Sequence, residues 1–262
     1  MINKKCFSAK GMAVAALAVL CVGCASTKSQ NLKLTNISGT RVLVDSRYDA
    51  QPDAEATAFL KPYSAKVDSL MSPVVGRTAR YMASKRPESE LSNLLSDILI
   101  WASQRFNEKP DFAVYNVGGI RAAFAKGNIT VGDVLDVAPF ENKICFLTLS
   151  GDKVRELFTQ IAARYGEGLS HAVRLEIGKD STLVSASING QPIDATKSYR
   201  IATLDYLAQG NDQMVAFKAK TDVVSPQNEE NNVRFLIMDY FRAFAAKGQA
   251  VDSKVEGRIV VK

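Results

Sequence analysis

Leucine, isoleucine and alanine recur at three- and four-residue spacing between residues 89 and 106, at Leu91, Leu94, Leu95, Ile98, Leu99 and Ala102. This is the period of one buried helical face, and it predicts a helix with Ser89 as N-cap and Pro87 just ahead of its entry. Residues 151–163 carry the same amphipathic period, residues 131–137 a shorter version ahead of Pro139, and residues 233–246 a final helix closed by Gly248. Helix formers over residues 52–71 predict a further helix that stops before Pro73. Short apolar runs at 112–116, 144–149, 172–177, 199–203 and 258–261 read instead as strands. Residues 185–188 and Ile193 flank Asn189-Gly190, a strong hairpin signal. Residues 32–44 alternate apolar and polar positions around Ser38-Gly39, which predicts another hairpin. Helices and strands intermix without strict βαβ alternation, so the expected fold class is α+β, a mixed β-sheet with flanking helices.

The N-terminus follows a different pattern. Lys4, Lys5 and Lys10 precede an apolar run over residues 12–22, shorter than the roughly 18 residues that a membrane-spanning helix needs. Leu20-Cys21-Val22-Gly23-Cys24 resembles a bacterial lipoprotein box, with Cys24 as the lipidated residue. An ordinary cleaved signal peptide is the plainer reading of the same run. The expected organisation is a signal peptide over 1–23, a tether over 24–31, a hairpin-and-helix extension over 32–72 and a main domain over 73–262. Such a chain would be lipid-anchored to a membrane of the bacterial cell envelope, on its extracytoplasmic side. Removing residues 1–23 takes away three lysines and no acids, so the net charge falls from +6 to +3. That excess is too small to suggest nucleic-acid binding. Cys145 lies in an apolar strand and reads as a small buried hydrophobe.

Three segments carry candidate chemistry. In Asn116-Val117-Gly118-Gly119-Ile120-Arg121, Gly118 and Gly119 follow a strand, where they permit a sharp turn and close approach of a ligand. Arg121 offers a planar, permanently charged fork suited to phosphate oxygens. In Pro139-Phe140-Glu141-Asn142, Phe140 presents a face for base stacking and Asn142 can both donate to and accept from a base edge. In the stretch from Asp205 to Asp212, Tyr206 provides a second aromatic and Asp212 an acceptor for ribose hydroxyls. Each segment alone is equally a structural turn.

Together and in this order, the three resemble the C-terminal domain of the 5'-nucleotidase family, whose usual forms are Asn-x-Gly-Gly-Ile-Arg, Pro-Phe-x-Asn and an aromatic followed by Gly-Gly-Asp-Gly. The similarity runs from about Pro73 to Lys218 and onward. It implies that Arg121 contacts phosphate, Phe140 and Tyr206 clamp the base, Asn116 or Asn142 reads its edge, and Asp212 holds the ribose. Two departures stand out. The glycine-rich loop is here Gly210-Asn211-Asp212-Gln213, with two glycines replaced. The family arginine ahead of Glu88-Ser89 and Asn93-Leu94-Leu95-Ser96-Asp97 is matched by Lys85 or Arg86, with spacing one residue shorter.

Full 5'-nucleotidases resemble calcineurin-like metallophosphatases in an N-terminal domain that binds two metals through several imidazoles. This chain has one histidine, His171, and no nucleophile elbow, Walker loop or zinc-spaced cysteines. The expectation is a substrate-recognition half of a split 5'-nucleotidase with no catalytic residue, metal or cofactor of its own. It would bind a nucleoside monophosphate or related nucleotide and work with a separate metallophosphatase chain that holds divalent metals. The alternatives are a stand-alone nucleotide- or nucleoside-binding lipoprotein for uptake, and a scaffold with a degenerate pocket.

Overall fold

The computed structural model describes residues 34–43 and 45–262, so the expected signal peptide, Cys24 and tether lie outside the described residues. The chain divides into two compact units, residues 1–53 and Ala54–Lys262. In the first, the described residues are all exposed and contain one short turn, Ser46–Tyr48, capped by Asp45, whose carboxylate also meets Arg47 at 2.8 Å. The hairpin expected over 32–44 is corrected here, because residues 34–43 contain no strand. An isolated two-stranded ribbon with no apolar face to bury is marginal in water, and none of these residues is buried.

The second unit opens with helix α1 (Ala54–Met71), which carries Pro62 inside it and buries none of its side chains. Three sheets follow. Strands β1 (Val74–Thr78) and β3 (Gly127–Thr130) form an antiparallel pair. The central sheet has five strands, in the order β10 (Thr221–Val224), β4 (Ile144–Ser150), β9 (Ser198–Leu204), β2 (Phe112–Tyr115) and β5 (Gly168–Leu169). Within it β2 and β9 run parallel, and β4 runs antiparallel to β9 along its whole length. The third sheet orders β11 (Ile259–Val261), β6 (Val173–Ile177), β7 (Leu183–Ile188) and β8 (Gln191–Pro192), with β11 parallel to β6. Both larger sheets mix strand directions, and helices pack against them, as the α+β expectation requires.

Helix α2 (Glu90–Ser103) starts where Ser89 and Ser92 form a reciprocal capping box, each side chain serving the other's backbone N–H. All six apolar positions of its predicted face are buried. Helices α3 (Val131–Val137) and α4 (Gly151–Ala163) form with the bounds their periodicity predicts. Thr130 and Asp133 cap the first of these with the same box. Helix α5 (Asp205–Ala208) is a single turn after β9, and α6 (Val233–Ala245) is capped by Asn232. The core between these layers includes Phe112 against Phe158 and Phe124 against Phe241, with ring centres 5.3 and 5.2 Å apart. Cys145 is buried among them, and burial pushes its thiol pKa up.

The C-terminal segment is clamped onto α2 by the residues that also carry the Glu88…Asp97 pattern. The Glu88 carboxylate accepts the Glu256 N–H at 2.7 Å, and Asn93 donates to the Lys254 carbonyl at 2.9 Å. Arg258, 1% exposed, places its guanidinium on both carboxylate oxygens of Asp97 at 2.6 and 2.9 Å. It also donates to the Leu169 carbonyl at 2.7 Å and to Glu256 at 3.0 Å. No helix among the described residues is long and apolar enough to cross a membrane.

Candidate functional site

Sheet direction brings the three motifs together. Strands β2 and β9 are parallel neighbours, so Asn116 after β2 and Tyr206 after β9 leave the same edge of the sheet. Strand β4 is antiparallel to β9, with Ile144 opposite Leu204, so residues 139–143 enter at that edge too. Crevices outside the carboxyl ends of parallel strands are where open sheets bind ligands. Hydrogen bonds to backbone carbonyls hold the loops there. Asp205 donates to the Lys143 carbonyl at 2.9 Å, Val233 donates to the Asn142 carbonyl at 2.9 Å, and Arg234 reaches the Pro139 carbonyl at 2.7 Å.

The result is a cavity of about 190 Å³ lined by Asn116, Gly118, Gly119, Phe140, Asn142, Tyr206 and Asp212. Phe140 and Tyr206 remain 50% and 37% exposed, so both rings present faces outside the core. Asn116 is buried and donates through Nδ2 to Asp212 Oδ2 at 2.9 Å. A carboxylate can only accept, which orients the amide and leaves Asn116 Oδ1 as a buried acceptor without a protein partner. A side chain at Gly119 would collide with that amide, since a Cβ there would lie 2.7 Å from Oδ1. The Tyr206 hydroxyl donates to Asp212 Oδ1 at 3.3 Å, and desolvation together with the Asp212 charge raises its pKa. The floor of the cavity thus offers acceptors, and its sides offer aromatic faces.

The two replaced glycines of the Asp212 loop have different consequences. Asn211 ties the loop to α5 by donating to the Tyr206 carbonyl at 2.8 Å. Gln213 keeps a left-handed backbone, φ 62°, beside Asp212 at φ 52°. A non-glycine residue there costs about 1–2 kcal/mol, offset in glycine by its larger unfolded-state freedom, about 0.5–1 kcal/mol. Gln213→Gly should therefore raise stability by about 0.5–1 kcal/mol in thermal or urea melts.

Arg121 does not line the cavity. It is exposed, with its guanidinium 3.4 Å from the Gly118 carbonyl and its N–H on the Val137 carbonyl. Lys85 is exposed as well, and Arg86 is bound to the Gly166 carbonyl at 2.8 Å and to the Glu167 carboxylate. His171 pairs with Glu256 at 2.7 Å on the surface, beside a separate depression with Asp97 and Trp101. Among the described residues no group of three or more histidine, cysteine, aspartate or glutamate side chains is placed to hold a metal. A wider groove of about 880 Å³ lies between α4 and the β7–β8 hairpin, but it has no aromatic face, and its Asp180 is committed to Thr182 at 2.7 Å.

The domain is by class a mixed-sheet α+β fold that gathers three loops around a small, aromatic-flanked cavity. Residues 71–219 match the family model described as 5'-nucleotidase, C-terminal domain, and the chain belongs to that family. It is 30% identical over 198 residues to the endonuclease YhcR of Bacillus subtilis, covering 71% of this chain and 16% of that protein. To the protein UshA of Escherichia coli it is 27% identical over 201 residues, 76% of this chain and 35% of that one. The 5'-nucleotidase precursor of Thermus thermophilus superposes with a TM-score of 0.68 at 25% identity, over 79% of this chain and 43% of that structure. The chain thus spans about a third of UshA and less than a fifth of YhcR.

Proposed function

We propose that this chain recognises a nucleotide for extracytoplasmic hydrolysis, as the substrate-binding partner of a separate metallophosphatase chain that holds the divalent metals. The observation that carries this reading is the cavity between Phe140 and Tyr206, with Asn116, Asn142 and Asp212 around it. Two aromatic faces suit a base, and Asp212 with the open Asn116 Oδ1 suits the donors of a ribose or base edge. The family membership and the neighbouring 5'-nucleotidase fold support a nucleotide as the ligand. The division of labour rests on the residues at hand: the single histidine sits at the surface, its Nδ1 2.7 Å from the Glu256 carboxylate. The lysine-flanked apolar run and the Cys24 box support a lipid anchor in the bacterial envelope.

The test measures binding and turnover together. Calorimetry with AMP, UMP and adenosine should show nucleotide binding by the mature chain. Phosphate release with Mn²⁺ or Zn²⁺ should appear only when a metallophosphatase chain is added. Strong metal-dependent hydrolysis by this chain alone would defeat the split-enzyme reading. Tight binding with no hydrolytic partner would favour capture for uptake instead.

A further inference from the structure

The cavity has an acid in it and no cation among its lining residues. Directly behind the Val117–Gly119 turn stands a buried carboxylate, Glu167, 1% exposed. Its Oε2 accepts the Val117 N–H at 2.6 Å, between the cavity-lining Asn116 and Gly118. Its Oε1 takes two guanidinium groups, from Arg86 and, at 2.7 Å, from Arg164. The turn that delivers Glu167 requires glycine. Gly166 has φ 102°, and a Cβ there would fall 2.3 Å from the Pro87 carbonyl oxygen.

The two arginines are not equivalent. Arg86 uses Nε on the Gly166 carbonyl and Nη2 on Glu167. Arg164 spends only Nε on Glu167, so among the described residues both of its terminal amino groups have no protein partner. Its side chain is 21% exposed, whereas the Glu167 carboxylate it meets is fully buried. It also stands close enough to Tyr206 that its charge opposes the rise in the phenol's pKa. Two guanidiniums sharing one carboxylate leave a net positive charge beside a cavity that otherwise offers acceptors. A buried carboxylate that fixes one edge of a guanidinium pre-orders the remaining donors, and arginine so held suits phosphate oxygens.

We propose that Arg164, oriented by Glu167, binds the phosphate of the ligand whose base stacks between Phe140 and Tyr206. This rests on the nucleotide reading above. Arg164 lies outside all three motifs, and it supplies the charge that Arg121, turned toward the Gly118 carbonyl, does not bring to the cavity wall.

The experiment compares Arg164→Gln and Arg164→Lys with the parent chain, titrating AMP and adenosine at low and high salt. Arg164→Gln should weaken AMP roughly tenfold or more, the scale of a lost charged hydrogen bond, while adenosine binding stays within about twofold. Arg164→Lys should restore part of the loss, and the salt dependence of AMP binding should flatten in the glutamine variant. Unchanged AMP affinity in Arg164→Gln would overturn the Arg164 assignment and leave nucleotide binding standing. Equal weakening of AMP and adenosine would reduce Arg164 to a structural role and also overturn it. A parent chain that binds neither ligand removes the nucleotide reading, and the phosphate assignment with it.

Discussion

Phe140→Ala and Tyr206→Ala should each raise the dissociation constant for AMP roughly 10- to 100-fold, because a stacked base is worth about 1–3 kcal/mol per aromatic face. The loss should come without unfolding. Both rings stand well exposed, at 50% and 37%, so removing them opens no core cavity. The melting behaviour of these variants should stay close to the parent, within about 0.5 kcal/mol. Tyr206→Phe separates the two roles of that residue. It keeps the ring but deletes the 3.3 Å hydrogen bond to Asp212, so its affinity should fall between parent and alanine variant. Calorimetry and thermal melts on the same samples decide the matter. Affinities that stay at the parent level in both alanine variants would show that the cavity is not the nucleotide site.

Asp97→Ala should cost about 3–5 kcal/mol of stability, the largest structural effect expected here. The reason is the position of its partner. Arg258 is 1% exposed, and Asp97 supplies two of its charge-assisted bonds, at 2.6 and 2.9 Å. Without Asp97 the guanidinium stays buried with Glu256 and backbone carbonyls only. For a unit of this size the loss corresponds to a fall in Tm of about 10 °C. The same cluster should respond to acid in a defined direction. Burial pulls the Glu256 pKa upward, but hydrogen bonds and charge from His171 and Arg258 outweigh it and hold it below its ordinary value. A carboxyl with a lowered folded pKa stabilises fully above its unfolded value, near 4.3, and loses that contribution as pH falls through the folded value. Urea melts of the parent from pH 7 to pH 3 should therefore show this part of the stability vanishing below about pH 4. A melting temperature within two degrees of the parent in Asp97→Ala would mean that the buried pair carries little of the fold.

Much of this structure was legible in residue patterns. Helices α3 and α4 kept their predicted bounds because the apolar period is clear in both, and at the start of α3 the Thr130 and Asp133 capping box agrees with it. The three motifs were legible as a group, and the parallel run of β2 beside β9 explains physically why they meet. Long-range pairing was less accessible. Strands β1 and β3 lie about fifty residues apart and pair with a register shift, and β3 is only Gly-Asn-Ile-Thr. Arg121 shows the limit of a motif, which fixes a residue's place in the chain but not the direction of a long, flexible side chain. Glu167 and Arg164 carry no motif, because charges just beyond a helix usually face water. Only the fold places Arg86, 81 residues earlier, against the same carboxylate. A glycine between an arginine and a glutamate, in Arg164-Tyr165-Gly166-Glu167, was the signal available for that turn.

The clamp at the C-terminus has a consequence for the order in which the protein is made. Strand β11 joins β6, and Arg258 seats against α2, so the elements they complete are translated some 80 to 170 residues before their partners. Every side chain of the candidate cavity precedes Arg258 in synthesis, and until Arg258 arrives Asp97 has the His171 N–H to bind and Glu88 the Asn93 amide. Domains tend to fold as units during synthesis. The clamp on α2 closes only once Arg258 and β11 have been made, so a chain stopped just short of Arg258 should carry every residue of the candidate cavity while α2 lacks its buried guanidinium partner.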